Sequence, residues 1–215
     1  MSPGTRASNA DARQAETRVL RTIVTAGDWV VLSGSVPPGF TSAQLRSLIE
    51  SLTASEASLA IDTSGDALVA SLAARPRLIK PNRTELAELV GRPLDSIAEV
   101  IAAAEEVRAG GVELVLVSLG ADGAVLVSPG GVLVGESRVD VPRSTVGAGD
   151  SFLAGFLVRF SNNEDDVEAA LVEALAWGAA ATSLPGSAVP GPAEIDHTNV
   201  QLVLRPDLDR PLVAN

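Results

Sequence analysis

The run Ser144-Thr145-Val146-Gly147-Ala148-Gly149-Asp150-Ser151-Phe152 places two glycines and a carboxylate at the start of an apolar helical pattern. Because glycine has no side chain to block a ligand, the main-chain N–H groups from Gly147 to Asp150 can converge on an anion, and a helix N-terminus adds partial positive charge there. The Asp150 carboxylate would repel that anion, which is unfavourable for a structural acid but suits a general base. The alternative is a plain strand-to-helix turn in which Asp150 only complements the helix dipole.

Segments before this run alternate between helical and strand patterns, as apolar spacing and short β-branched runs indicate. Helices are predicted over residues 11–25, 41–52, 65–74, 82–90 and 96–109, and strands over 28–32, 58–62, 77–80 and 113–118. The last of these strands is almost wholly apolar, which is typical of a strand buried on both faces at the centre of a sheet.

The pattern changes after residue 118. Asp122-Gly123 beside the apolar run 124–127 predicts a hairpin, and residues 132–134 and 137–141 continue an antiparallel edge. The remaining predicted elements are helices over 146–160 and 164–183, followed by a mostly irregular proline-containing tail. The sequence therefore predicts an α/β fold with a mostly parallel central sheet and an antiparallel edge.

The composition fits one domain with an aliphatic core. Hydrophobic residues make up 46% of the 215 residues but aromatic residues only 3%, so Ala, Val, Leu and Ile must fill the interior. The net charge of −11 disfavours a nucleic-acid or anionic-membrane surface, because phosphate binding relies on clustered cations. No apolar run is long enough for a membrane span or the core of a signal peptide, and cysteine is absent, so we expect a soluble, cytoplasmic protein.

Asn82-Arg83-Thr84-Glu85 follows the predicted strand that ends at Lys80, the only lysine of the chain. An amide and a carboxylate three residues apart form a near-standard capping pair, with Asn82 as the N-cap. At the C-terminal end of a strand, the same two side chains can also hold Mg²⁺ through water. Lys80 is either a solvated lysine or a cation that meets nucleotide phosphates.

The loop that closes the central strand has the sequence Ser118-Leu119-Gly120-Ala121-Asp122-Gly123. Ligands of open α/β sheets collect beyond the C-terminal ends of the strands, so this loop is a candidate ligand site, although Asp122-Gly123 can also be only a hairpin turn. Ser33-Gly34-Ser35 is predicted to be a turn whose hydroxyls can touch a polar substrate. Neither a Walker phosphate loop nor a G-x-G-x-x-G dinucleotide motif occurs.

Together these motifs resemble the ribokinase-like carbohydrate kinases of the PfkB type. The run 144–152 is similar to the C-terminal signature of that family, residues 82–85 to its N-x-x-E motif, and residues 118–123 to its nucleotide loop. Ser33-Gly34-Ser35-Val36-Pro37-Pro38-Gly39 and Lys80-Pro81-Asn82 narrow the resemblance to the branch of 1-phosphofructokinase and tagatose-6-phosphate kinase. The resemblance implies a ribokinase-like three-layer α/β/α fold.

The resemblance also implies an ATP-dependent phosphotransferase, most similar to an enzyme that converts fructose 1-phosphate to fructose 1,6-bisphosphate. Asp150 would take the proton from the sugar hydroxyl, and backbone groups of Gly147, Ala148 and Gly149 would stabilise charge on the transferring phosphoryl. Mg²⁺ would be organised indirectly by Asn82 and Glu85, and a monovalent cation beside the signature is a further option. Contacts to ATP would come from Lys80, Asn82, Ser118, Leu119, Gly120, Ala121, Asp122, Gly123 and Gly149, and contacts to a ketohexose phosphate from Ser33, Gly34, Ser35 and Asp150.

The sequence departs from the family pattern at its beginning. Family members start with a segment that carries a sugar-contacting aspartate, a glycine pair and a β-sheet lid that often forms a dimer interface, and nothing here corresponds to it. Residues 1–215 are therefore expected to be the C-terminal, ATP-binding part of such a domain, N-terminally truncated, with a homodimer or a missing segment as partner. Two functions stay open: a sugar-phosphate kinase, or an impaired nucleotide-binding fragment, since lost orientation of the acceptor can forfeit roughly 7–11 kcal/mol of barrier lowering.

Overall fold

The computed structural model describes residues 22–213, which form one seven-stranded sheet in the order β1 to β7. Strands β1 to β4 pair in parallel, and β4 to β7 pair antiparallel, which confirms the predicted parallel sheet with an antiparallel edge. The strands are β1 (Trp29–Ser33), β2 (Ser58–Asp62), β3 (Leu78–Ile79), β4 (Leu114–Ser118), β5 (Ala124–Ser128), β6 (Gly131–Ser137) and β7 (Val200–Leu202).

Six helices connect these strands within the described part of the chain. They are α1 (Ser42–Thr53), α2 (Gly65–Leu72), α3 (Arg83–Val90), α4 (Ile97–Ala109), α5 (Ala148–Phe160) and α6 (Val167–Ser183). The first four form the crossovers between the parallel strands, whereas α5 and α6 lie between β6 and β7. None of the helices between residues 22 and 213 is both long enough and apolar enough to cross a membrane.

Local sequence explains where three of the helices begin. Helices α1, α3 and α4 each start with a capping box, in which an N-cap side chain and the side chain three residues later exchange hydrogen bonds with the backbone. Helix α3 ends at Gly91, whose φ of 71° lies in the left-handed region that glycine adopts at low cost. The bounds therefore follow the predicted segments within a few residues.

The sheet lies between two layers of helices, because alternate residues of each strand face opposite sides. In β4, Val115 and Val117 belong to the core beneath α1 to α4, whereas Leu114 and Leu116 belong to the core beneath α5 and α6. All four are buried, which confirms that β4 is the central strand and that the fold has three α/β/α layers.

Three sequence predictions differ from the structure or lie outside it. The helix over 11–25 falls mostly outside the described residues, which begin with helical residues 22 and 23. The separate strand over 137–141 is wrong, because β6 is continuous and the chain leaves the sheet after Ser137. The tail is not wholly irregular, since β7 pairs with β6 in the register Gly135 to Leu202; three residues are too short a pattern to be recognised without that partner.

An ion-pair cluster around Arg77 closes the amino-terminal end of β3. The guanidinium donates to the Glu164 carboxylate at 2.6 and 2.7 Å and to Glu113 at 3.1 Å. Its Cζ atom also lies 5.3 Å from the ring centroid of Trp29 and 5.5 Å from that of Phe160. Hydrogen bonds from Arg77 lower the pKa of the Glu164 carboxyl. We call this group the Arg77 cluster.

Candidate active site at the carboxyl ends of the parallel strands

The predicted site residues gather where the parallel strands end and α5 begins. Because β1 to β4 run in the same direction, the residues that follow them lie along one edge of the sheet. Lys80 follows β3 directly, and the Ser118 loop follows β4. An isolated bridge between Asn82 and Ser118 joins these two segments.

Helix α5 starts at a left-handed glycine, as a compact turn into a helix requires. Gly147 has a φ of 77° and is the N-cap residue, and its carbonyl accepts a hydrogen bond from Ser151 at 2.9 Å. The Ala148 N–H donates to the Thr145 carbonyl at 3.2 Å, so the structure engages one of the predicted anion donors within the turn itself. The N–H groups of Gly149 and Asp150 lie in the first turn, where a helix provides no acceptors of its own.

Lys80 is buried beside the main chain of this first turn. Its side chain is 5% exposed, and its Nζ lies 3.0 Å from Asp62 Oδ1. A Cβ built on Gly149 would stand 3.4 Å from the same Nζ, so glycine at this position leaves the ammonium close to the turn. The alternative of a solvated lysine is therefore wrong.

Asp62 is a site residue that the sequence pattern did not single out. Burial raises the pKa of its carboxyl, Lys80 opposes that rise, and the carboxylates of Glu85 and Asp150 add to it. The partner of the buried lysine is thus close enough to Glu85 and Asp150 for their charges to raise its pKa. The signal in the sequence was the position of Asp62 at the C-terminal end of a strand, where ligands of such sheets bind.

The Asp150 carboxylate receives a hydrogen bond across the site from β1. Ser33 Oγ donates to Asp150 Oδ1 at 2.9 Å, and both residues are exposed. The turn after Ser33 is fixed by Gly34, whose N–H donates to the Asp62 carbonyl and whose own carbonyl accepts from Thr63 Oγ1. Ser35 is exposed beyond this turn. A hydroxyl of the same chain therefore already hydrogen-bonds one of the two oxygens of this carboxylate.

Asn82 and Glu85 form the capping pair that the sequence predicted. Asn82 Oδ1 accepts from the Glu85 N–H at 2.9 Å, and Glu85 Oε2 accepts from the Asn82 N–H at 2.9 Å. Among residues 22–213 there is no group of three or more His, Cys, Asp or Glu side chains that could enclose a metal ion. The donor set instead fits Mg²⁺ that keeps its waters and is completed by phosphate oxygens.

A cavity of about 1280 Å³ opens beside these residues, between the edge of the sheet and the helices α5 and α6. Most of the predicted nucleotide contacts line it, together with residues of the signature. The lining includes Lys80, Asn82, Ser118, Gly120, Ala121, Gly123, Ala148 and Gly149. The sequence thus located one wall of this cleft.

Two predicted nucleotide contacts have side chains with other roles. Leu119 is 2% exposed and belongs to the core beneath α1 to α4. The Asp122 carboxylate is 4% exposed and accepts hydrogen bonds from Arg210 and Val213. Neither residue lines the cavity, and both side chains have structural contacts.

The hairpin predicted at Asp122-Gly123 is confirmed, because β4 and β5 pair antiparallel across this loop. The loop between β4 and β5 contains a single 3₁₀ turn over Gly120–Asp122, followed by Gly123 with a φ of 90°. A Cβ at Gly123 would overlap the Gly135 carbonyl oxygen of β6. Glycine is therefore needed both for the backbone conformation and for the approach of β6.

Other site residues predicted from the sequence lie outside the cavity lining, at the end of β1 and at the starts of α3 and α5. These are Ser33, Gly34, Ser35, Glu85, Gly147 and Asp150. The opposite wall of the cleft was missed, because it comes from the end of β6, from α6 and from the tail. It includes Glu136, Ser137, Arg138, Thr182, Thr198, Asn199, Gln201 and Arg210.

The chain matches a model of the pfkB family of carbohydrate kinases over residues 4–194. It is 39% identical over 142 residues to 1-phosphofructokinase of Haemophilus influenzae, covering 66% of this chain and 45% of that protein. Identity to 1-phosphofructokinase of Rhodobacter capsulatus is 39% over 155 residues, covering 72% of this chain and 49% of that one. The chain thus spans about half the length of these two relatives.

Solved structures give the same fold. Phosphofructokinase-2 from Escherichia coli in complex with potassium superposes with a TM-score of 0.81 at 34% identity, covering 91% of this chain and 63% of that one. The tetrameric inhibited form of the same enzyme gives a TM-score of 0.70 at 36% identity, covering 85% of this chain and 59% of that one.

Proposed function

This chain belongs to the pfkB family of carbohydrate kinases, and from that premise we propose that residues 1–215 carry the ATP-binding part of a phosphotransferase acting on a sugar-phosphate hydroxyl. The observation that carries the proposal is the juxtaposition of Lys80 and the first turn of α5. A buried ammonium 3.4 Å from the Cβ position of Gly149 faces the turn that ends in the candidate base, Asp150.

In this proposal ATP occupies the large cavity. The loop from Ser118 to Gly123 and the end of β6 enclose the nucleotide, and the polyphosphate extends towards Lys80. Lys80 and the N–H groups at the start of α5 then stabilise negative charge on the transferring phosphoryl, which is where most of the catalysis in phosphoryl transfer arises. Because these groups are held in place before ATP arrives, little reorganisation is needed.

Mg²⁺ neutralises phosphate charge when bound, and Asn82 and Glu85 would hold it through water. Their mutual capping bonds keep both side chains at the start of α3, beside the cleft. The electrostatic influence of Glu85 on Asp62 indicates that Glu85 adds negative potential to this region. A monovalent cation beside the signature is part of the same proposal, and the relative crystallised in complex with potassium is consistent with it.

Asp150 acts as the general base that removes the proton of the acceptor hydroxyl. The hydrogen bond from Ser33 Oγ orients its carboxylate, leaving Oδ2 for the substrate. The substrate class follows from the relatives named 1-phosphofructokinase, which favour fructose 1-phosphate as acceptor and fructose 1,6-bisphosphate as product. Ser33, Gly34 and Ser35 are the proposed contacts to that ketohexose phosphate.

A nucleotide-binding unit that requires further chain for catalysis is the second candidate. It is favoured by the placement of the proposed sugar contacts, Ser33 to Ser35, outside the lining of the cavity. A homodimer could supply such a wall, and the tetrameric relative is consistent with an oligomer. In that case ATP binds but no sugar phosphate is turned over.

The experiment is a coupled assay of ADP release with Mg·ATP and a panel of ketohexose phosphates, combined with calorimetric titration of ATP. Turnover of fructose 1-phosphate that depends on Asp150 supports the kinase. ATP binding to a folded protein without turnover of any member of the panel selects the nucleotide-binding unit. Absence of ATP binding by a folded protein contradicts both.

A further inference from the structure

The buried carboxylate of Asp122 is held by the tail of the chain. Arg210 Nη1 donates to Asp122 Oδ1 at 2.6 Å, and the Val213 N–H donates to Asp122 Oδ2 at 2.7 Å. The other guanidinium nitrogen, Nη2, reaches Glu136 of β6 at 3.3 Å. One arginine therefore bridges the loop after β4 and the strand β6.

The tail that carries Arg210 is itself attached to the body of the fold. The Ala98 N–H of α4 donates to the Leu208 carbonyl, and the Leu212 N–H donates to the Asp95 carbonyl, each at 2.9 Å. The segment 207–213 is thus anchored on both sides of Arg210. An anchored arginine can fix the position of a short loop, whereas one on a free tail cannot.

The loop that Arg210 holds forms part of the cleft. Ala121 and Gly123 line the cavity on either side of Asp122, and Arg210 lines it as well. Within the loop, the backbone makes one 3₁₀ turn and a hydrogen bond from the Leu119 N–H to the Gly123 carbonyl at 2.8 Å. Asp122 itself does not line the cavity, and its carboxylate contacts the tail.

We propose that Arg210 is a positioning residue of the nucleotide site, which, through Asp122, holds residues 120–123 in the shape that ATP requires. This inference rests on the proposed function for the identity of the ligand. The 4% exposed Asp122 carboxylate accepts one charge-assisted hydrogen bond from Arg210 and one from the Val213 N–H, and both are strong because water competes for them only weakly.

The test compares Arg210→Gln with Arg205→Gln, which changes an exposed arginine of the same tail. We expect Arg210→Gln to weaken calorimetric binding of Mg·ATP by about tenfold, whereas Arg205→Gln leaves it unchanged. The KM for ATP should rise with that for the sugar phosphate unaltered. A purely structural role would instead change the KM values for both substrates equally, and that result would overturn the proposal.

A second variant separates positioning from direct contact and guards against misfolding. Asp122→Asn combined with Arg210→Gln removes the buried charge together with its partner. If Arg210 acts through Asp122, each single variant and the double variant weaken ATP binding to the same extent. If Asp122→Asn alone leaves ATP affinity unchanged, Arg210 does not act through it and the proposal is wrong.

Hydrogen exchange of the ligand-free protein distinguishes failure of this proposal from failure of the proposed function. The amides of Leu119, Asp122 and Gly123 should exchange faster in Arg210→Gln than in Arg205→Gln, because all three donate within the loop. Unchanged exchange overturns the positioning role whatever the ligand is. Faster exchange in a protein that binds no ATP leaves the loop role standing and rejects the proposed function.

Discussion

Strand β3 has a cation beside each of its ends, and the surroundings of the two cations differ. Arg77, at the amino end, is matched by two carboxylates and two aromatic rings, and its donors are directed at partners within the fold. Lys80, at the carboxyl end, has one carboxylate at 3.0 Å and faces a cavity. The first arrangement satisfies the charge completely, whereas the second leaves hydrogen-bonding capacity for a ligand.

The carboxyl groups beside the two cations also differ, in the direction in which their pKa values are shifted. Hydrogen bonds from Arg77 lower the pKa of Glu164, so ionised Glu164 stabilises the fold. Burial raises the pKa of Asp62 despite Lys80, so ionised Asp62 reduces stability. Charged groups that reduce stability are expected at the end of the strand where function requires them. Charged groups that add stability are expected at the other end.

The largest effect should come from Asp150→Asn, at the carboxyl end. Loss of the proposed general base should reduce turnover by about 10²–10⁴-fold, with the unfolding midpoint unchanged because the side chain is exposed. The matched control is Asp66→Asn, which changes an exposed acid in the first turn of α2. Steady-state assays of both variants check this, and equal losses in the two would show that Asp150 has no special role.

Removing the buried pair should separate activity from stability. The double variant Asp62→Asn with Lys80→Met should lose at least about 100-fold in kcat/KM for ATP, because the cation proposed to face the ATP phosphates is gone. Its free energy of unfolding should stay within about 1 kcal/mol of the starting value, since replacing both members of a buried pair is often neutral. Urea denaturation and kinetics on the same preparation measure both quantities, and a large loss of stability would contradict this account.

Arg77→Met should give the opposite result at the amino end. We expect a loss of about 2 kcal/mol in the free energy of unfolding, from hydrogen bonds and cation–π contacts, with kcat unchanged. Arg92→Met is the control, because its ion pair with Glu106 is largely exposed and should contribute at most about 1 kcal/mol. Urea unfolding at neutral pH tests both variants, and a drop in kcat for Arg77→Met would remove the distinction between the two ends.

The smallest effect concerns acid pH. Glu164 has a lowered folded-state pKa, so its contribution is present above its unfolded pKa of about 4.3 and is lost as pH falls through the folded value. Stability should therefore decrease below about pH 4.3, and less steeply in Arg77→Met. Asp62 has the opposite effect, because its ionised form reduces the free energy of unfolding and protonation at acid pH removes that reduction. Denaturation midpoints measured between neutral and acid pH test this. An equal dependence of stability on pH in the unsubstituted protein and in Arg77→Met would exclude a contribution from the ion pair between Arg77 and Glu164.

Much of the fold could be predicted because its signals are local. The local sequence alone is enough to predict three features: the capping pair Asn82 and Glu85, the apolar strand β4 and the turn at Gly147. Strand β7 has no such signal, because its three residues become a strand only by pairing with β6.

The candidate site was predictable on one side for a similar reason. The residues after the parallel strands and in the signature are identified by position and by glycine spacing, whereas the opposite wall depends on how the tail returns to the sheet. Asp122 illustrates the limit: its sequence context indicated a turn or a ligand contact, and only its partner Arg210, 88 residues away, revealed its role. Lys80 was ambiguous for the same reason, since its partner Asp62 belongs to another strand.

The central claim is that the carboxyl end of the sheet binds ATP through Lys80 and the first turn of α5, whereas the amino end only stabilises the fold. Calorimetric titration of Mg·ATP into the unsubstituted protein, into Arg77→Met and into the Asp62→Asn, Lys80→Met double variant tests it most directly. The account predicts equal ATP affinity in the first two and strongly weakened binding in the third. Binding of ATP by the folded double variant as tightly as by the unsubstituted protein would contradict it.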